Sequence, residues 1–111
     1  MNVKLTVEYD GTNYHGWQMQ PNCESIQSVL ERAVSTFTGT QTQVIGSGRT
    51  DAGVHALGQV VGFVCEKEFP PHRIRRALNA LTPPDIAIKE VALVADSFDP
   101  RRDARSRIYE Y

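Results

Sequence analysis

Cysteine is scarce in this chain: Cys23 and Cys65 are the two among 111 residues. They form no CxxC pair, and His15, His55 and His72 are scattered, so the close ligand spacings of a structural zinc site are missing. The count alone allows a Cys23–Cys65 disulfide. The opening residues, however, lack the basic-then-apolar layout of a signal peptide, so two reduced thiols in a cytoplasmic protein are the expectation. Long hydrophobic runs are also absent. Nothing approaches the roughly 20 apolar residues that a bilayer-crossing helix needs, and no membrane partner is expected. Neither sign of charge dominates: twelve Lys and Arg stand against thirteen Asp and Glu, a net of −1. That balance fits neither a disordered polymer nor a uniformly basic nucleic-acid binder. What is present, 41% hydrophobic and 23% charged residues, fits one globular domain able to bury a core without disulfides.

The near-neutral total hides a gradient. Residues 1–70 hold four Lys/Arg and seven Asp/Glu, whereas residues 71–111 hold eight and six. Arg101, Arg102, Arg105 and Arg107 fall within seven residues, opposed there only by Asp103. Such a cluster can bind phosphates. A solvated arginine-rich turn is the commoner outcome.

Apolar and polar residues alternate from Val3 to Tyr9, the period of a strand with one buried face. Asp10-Gly11-Thr12-Asn13 reads as a turn, and residues 14–24 as a loop broken by Gly16 and Pro21. Ser25 caps a helix whose apolar stripe runs through Ile26, Val29, Leu30, Ala33, Val34 and Phe37, with Gly39 at its end. Residues 43–47 form a second strand, 48–58 a loop and 59–65 a third strand. Pro70 and Pro71 open a second helix with Ile74, Ala77, Leu78 and Leu81 on one side, ended by Pro83-Pro84. A fourth strand starts at Ile86 and Ile88 but continues at Val91 and Leu93 with opposite parity, which a bulge near Glu90 explains. Residues 105–111 begin a fifth strand with Tyr109 and Tyr111 on one face. The order β-α-β-β-α-β is the α+β, ferredoxin-like unit: an antiparallel sheet with two helices on one face and the other face open. That fold serves many functions, so function has to come from a site.

The densest segment is Gly46-Ser47-Gly48-Arg49-Thr50-Asp51-Ala52-Gly53-Val54-His55. Arg49 and Asp51 sit among small residues that leave room for a substrate. A guanidinium beside a carboxylate keeps it ionised, fit to act as nucleophile or base. An Asp in such a place more often stabilises its own turn. The dinucleotide pattern fails, because Asp51 stands where the third glycine belongs, and no Gly-Lys-Ser/Thr follows for a phosphate loop. His55 has no visible acid/base partner, and a turn or core role suits it better. The run from Tyr9 to Gln18 is rich in aromatic and turn residues. These can stack bases, although packing is the expectation for Trp17.

Gly48-Arg49-Thr50-Asp51-Ala52-Gly53-Val54-His55 resembles the signature of the tRNA pseudouridine synthase A family. The flanks agree in order: Tyr9-Asp10-Gly11 with Gly16-Trp17-Gln18, Ser25-Ile26-Gln27, Gly58-Gln59-Val60-Val61 with Phe63, Leu78-Asn79-Ala80-Leu81 with Pro84-Asp85-Ile86, and Phe98-Asp99-Pro100-Arg101 with Ala104, Arg107, Tyr109 and Tyr111. The resemblance spans nearly the whole chain. It implies isomerisation of uridine to pseudouridine in the tRNA anticodon arm, with no metal or cofactor, by an enzyme that is a homodimer at full length. It implies Asp51 as the catalytic aspartate, Arg49 as the residue that pairs with it and holds the target nucleotide out, and Tyr109 as the ring stacked on the flipped uracil. Arg101, Arg102, Arg105 and Arg107 would contact phosphates. Ile108 and Glu110 depart from the more polar or basic residues the family often carries beside the tyrosine, so local RNA contacts are expected to differ.

Family members are also longer, with a second related domain. Residues 1–104 are therefore expected to be an N-terminal catalytic domain, and residues 105–111 the start of a strand leading to a further one. The piece alone is expected to be weak or inactive. Two other classes compete with this reading. One is a non-catalytic RNA-binding module of the same fold, faintly echoed in Gly62-Phe63-Val64. The other is an oligomerisation domain using the open sheet face.

Overall fold

The structure, a computed structural model, describes residues 2–14, 16–17, 24–47, 55–95 and 109–110, without the side chains of 55–57 and 109–110. Strand β1 (Asn2–Tyr9) alternates as its sequence does, with Val3, Leu5, Val7 and Tyr9 buried. Helix α1 (Ile26–Thr38) follows, and its apolar stripe is buried over the same face. Ser25 caps it through a reciprocal pair: Ser28 N–H donates to Ser25 Oγ at 3.2 Å, and Ser25 N–H donates to Ser28 Oγ at 3.1 Å. Gly39 ends the helix in the left-handed region at φ 79°, where a Cβ is disfavoured. Strand β2 (Ile45–Gly46) and strand β3 (His55–Val64) form the next pair, then helix α2 (Pro71–Leu81) opens with Pro71 at its first position. Strand β4 (Ile86–Val94) and strand β5 (Tyr109–Glu110) complete the order.

The sheet is antiparallel in the order β2-β3-β1-β4, and β5 pairs with β3. This is the ferredoxin-like α+β unit expected from the sequence. The parity switch in β4 is a bulge: Thr6 faces Glu90 and Val7 faces Ile88, so Lys89 is the additional residue. A second bulge lies in β3, where Leu57 and Gly58 together oppose Glu8.

Three expectations need correction. The third strand begins at His55, not Gln59, because His55 and Ala56 pair with Glu110 and Tyr109 of β5, and Ala56 also faces Tyr9 of β1. The second strand is only Ile45–Gly46, because Val44 is captured elsewhere. Leu81 is 43% exposed at the end of α2, while Ile74 and Leu78 carry that helix's burial.

Each helix uses polar side chains to clamp the backbone at one edge of the sheet, α1 at the residue before β2 and α2 within β4. From α1, Glu31 Oε2 accepts from Val44 N–H at 3.1 Å and Gln27 Nε2 donates to Val44 C=O at 3.3 Å. From α2, Asn79 Oδ1 accepts from Ile88 N–H at 2.9 Å and Asn79 Nδ2 donates to Ile88 C=O at 3.1 Å. In both cases a side chain imitates the next strand and satisfies backbone groups that an edge leaves open. Phe37 and Phe69 pack tilted at 4.8 Å, and the Arg73 guanidinium lies 5.1 Å from the Phe69 ring. Cys65 is buried, and Cys23 lies outside the described residues. Among the described residues no helix is long and apolar enough to cross a membrane.

Candidate active site

The segment bearing Arg49 and Asp51 joins β2 to β3. Residues 48–54 lie outside the described residues, but both of its roots are within them. The upstream root is Ser47, whose N–H donates to Val60 C=O at 2.8 Å. The downstream root is His55, at the start of β3. Along β3 the two roots are five residues apart, about 16 Å at the usual rise of a strand. β3 therefore overhangs β2, and the outer edge of that overhang is where β5 pairs: His55 opposite Glu110, Ala56 opposite Tyr109. Since Ala56 also faces Tyr9 of β1, the downstream root is held from both sides.

The upstream root is packed tightly. Gly46 lies against the Trp17 ring so closely that a Cβ there would fall 2.6 Å from Cε2 and Cζ2. Trp17 is buried, in keeping with a packing role, and its carbonyl accepts from Gln27 N–H at 3.0 Å. The neighbouring Gly16 carbonyl accepts from Ile26 N–H at 3.2 Å, so this loop supplies partners for the first turn of α1. Beneath the root, Ser47 Oγ donates to Gln59 Oε1 at 3.2 Å, and both residues are buried.

A third connection reaches the same end of the sheet from α2. Asp10 N–H donates to Asp85 C=O at 2.9 Å, and Tyr14 Oη donates to Asp85 Oδ1 at 2.6 Å. Burial first, then the hydrogen bond to Asp85 and its negative charge, push the Tyr14 phenol well above its ordinary range. The Asp10 side chain accepts from Thr12 N–H at 3.0 Å and shapes the short 3-10 turn Gly11–Asn13 after β1.

A model of the family described as tRNA pseudouridine synthase matches residues 5–101. The chain belongs to the tRNA pseudouridine synthase family. It is 48% identical over 110 residues to tRNA pseudouridine synthase A of Caldicellulosiruptor saccharolyticus, covering 99% of this chain and 45% of that protein. Against the protein of the same name from Acetivibrio thermocellus it is 49% identical, with the same coverages. Against that of Myxococcus xanthus it is 50% identical over 109 residues, 98% of this chain and 41% of the relative. The chain thus spans a little under half the length of these pseudouridine synthases.

Of the residues singled out for function, Arg49, Asp51, Arg101, Arg102, Arg105 and Arg107 lie outside the described residues, and Tyr109 is described by its backbone alone. The β3–β5 ladder puts the Tyr109 backbone five residues of sequence from Asp51, counted from its partner Ala56. Sequence reasoning passed over Ser47, Gln59, Asp85 and the Gly46–Trp17 contact as working parts. The available signal was a Ser and a Gln in or beside strands otherwise made largely of apolar residues and glycine. A cavity of about 870 Å³, lined by residues such as Thr38, Gln41, Ile45, Val64 and Phe69, opens at the other end of β3 and does not reach these roots.

Proposed function

We propose that this chain is the N-terminal catalytic part of a longer tRNA pseudouridine synthase. It converts uridine to pseudouridine in the anticodon arm, with Asp51 as the catalytic residue. The observation that carries the reading is the family match over residues 5–101, which includes the Asp51 segment whole. The β3–β5 ladder adds support, since it ties the strand bearing Tyr109 to the downstream root of that segment.

In the reaction the N1–C1′ bond breaks and the freed uracil turns. A C5–C1′ bond then forms, C5 gives up its proton and N1 takes one, so the product is an isomer. Asp51 works at the sugar, as nucleophile or as base. Arg49 keeps it ionised and helps hold the nucleotide out of the stem. Extrusion of the base costs a few kcal/mol. Stacking on Tyr109 returns roughly 1–3 kcal/mol of it. Arg101, Arg102, Arg105 and Arg107 meet phosphates, and the enzyme works as a cytoplasmic homodimer without a cofactor. The RNA-binding-module reading loses ground because Phe63 of the Gly62-Phe63-Val64 echo is buried in the core. The open face, from Lys4, Thr6 and Glu8 to Val60, Gly62 and Val64, has no aromatic among its described residues on which a base stacks.

The test uses the protein from the complete reading frame and tRNA tritiated at uridine C5. Asp51→Asn should abolish tritium release while tRNA binding persists. Release at the parent rate by that variant sinks the proposal.

A further inference from the structure

We infer that Ser47 and Gln59 form a positioning pair that aims the Asp51 segment from its upstream root. The inference rests on the reading of Asp51 as the catalytic residue. Gln59 is fully buried, with 0% exposure, and lies opposite Val7 on the core face of the sheet. A primary amide there is costly unless it is hydrogen-bonded, and its Oε1 accepts from the buried Ser47 hydroxyl at 3.2 Å. Stability alone does not account for the choice, since two apolar side chains of similar shape serve a buried spot equally well or better. A hydrogen bond adds direction, whereas an apolar contact sets only distance.

The position of the pair gives that direction a use. Ser47 stands four residues ahead of Asp51, and its N–H bonds across to β3. Its N–H is fixed by Val60 and the preceding Gly46 is pinned beneath Trp17, so the hydroxyl adds a second hydrogen bond at Ser47 and a third constraint on the Gly46–Ser47 root. Gln59 directly follows the Leu57–Gly58 bulge, a device that re-aims side chains beside functional sites. The bulge turns β3, and the pair carries the orientation of the turned strand across to the root of the segment. Neither side chain touches substrate in this scheme; both act through the chain that bears Asp51.

The experiment compares Ser47→Ala, Gln59→Leu, the double variant and Ser47→Thr in the full-length enzyme, by tritium release and thermal midpoint. Misplacement of a reacting group by about 1 Å costs up to about a hundredfold in rate, so each single variant is expected to lose about tenfold or more in kcat. KM for tRNA should stay within about twofold, because the phosphate contacts are untouched. The double variant should be no slower than the slower single one, as expected for one shared interaction. Ser47→Thr, which keeps the hydroxyl, should recover most of the rate. Single variants turning over at the parent kcat, or a loss that vanishes once assays run well below each midpoint, overturn the inference. If Gln59→Leu fails to fold, Ser47→Ala carries the test, since it deletes one oxygen. Asp51→Asn is assayed alongside. Full activity in Asp51→Asn sinks the functional reading itself, while a dead Asp51→Asn beside a fully active Ser47→Ala sinks only the positioning role.

Discussion

Replacing Gly46 by alanine tests the packing at the upstream root, and here the general rule and the structure predict opposite signs. Gly46 is not among the described glycines with positive φ, which are Gly16 and Gly39. The general expectation for Gly→Ala at a compatible backbone is a gain of about 0.4–1 kcal/mol through the unfolded chain. The contact with Trp17 reverses this. A Cβ at Gly46 meets two ring carbons at 2.6 Å and Nε1 at 2.9 Å. Favourable carbon contacts lie near 3.5–4.0 Å, so the ring has to retreat by about 1 Å. It has little room, since Trp17 is 4% exposed and its backbone carbonyl is bonded to the first turn of α1. Overpacking of this kind costs about 1–3 kcal/mol, and the upper half of that range applies where ring and backbone are both held. Net of the entropic gain, a loss of about 2 kcal/mol is expected, or roughly 10 °C in thermal midpoint for a domain of this size. Trp17 is the single tryptophan of the chain, so its fluorescence reports on the perturbed spot while circular dichroism reports on the whole. Gly58→Ala is the control, because nothing lies within 4 Å of its added Cβ. A midpoint for Gly46→Ala at or above the parent value would refute the packing argument.

Other substitutions probe the connections around the same scaffold. Asn79→Ala removes both bonds to Ile88 and should cost about 1–2 kcal/mol in urea unfolding, with faster hydrogen exchange at the Ile88 amide. Glu31→Ala strands the buried Val44 N–H at a cost of about 1–3 kcal/mol, whereas Glu31→Gln keeps an acceptor and should recover most of it. Tyr14 contributes to stability in its protonated form. Its pKa is raised on folding, so the contribution is complete below the ordinary phenol value of about 10 and declines as pH rises beyond it. Tyr14→Phe should therefore be less stable than the parent at neutral pH, and the gap should narrow in alkaline solution. An equal gap at pH 7 and pH 11 would contradict the raised pKa.

Local chemistry made much of the fold readable. The alternation of β1, the Ser25 cap, the left-handed Gly39 and the double proline before α2 each act within a few residues, and the structure has all four. The bulge near Glu90 showed itself as a change of parity that one inserted residue explains. What escaped was set by distant partners. Val44 looks like a strand residue but bonds to Gln27 and Glu31, thirteen or more positions earlier. His55 and Ala56 look like loop but both pair with β5, 53 to 55 positions away, and Ala56 also pairs with β1. For the candidate site, the motif around Asp51 pointed to the family, yet the Ser47–Gln59 bond and the fit of Gly46 under Trp17 depend on which residues the hairpin brings level. No local pattern encodes that.

The pairing of β5 with β3 also orders events in time. Residues 55 and 56 leave the ribosome long before residues 109 and 110, so their pairing waits for the later residues to emerge. The sheet core of β1, β3 and β4 can assemble on nascent chain while the outer edge of residues 55–56 is still bare. The downstream root of the Asp51 segment is thus among the last described parts to be paired, so a nascent chain holds a folded sheet before β5 closes that edge.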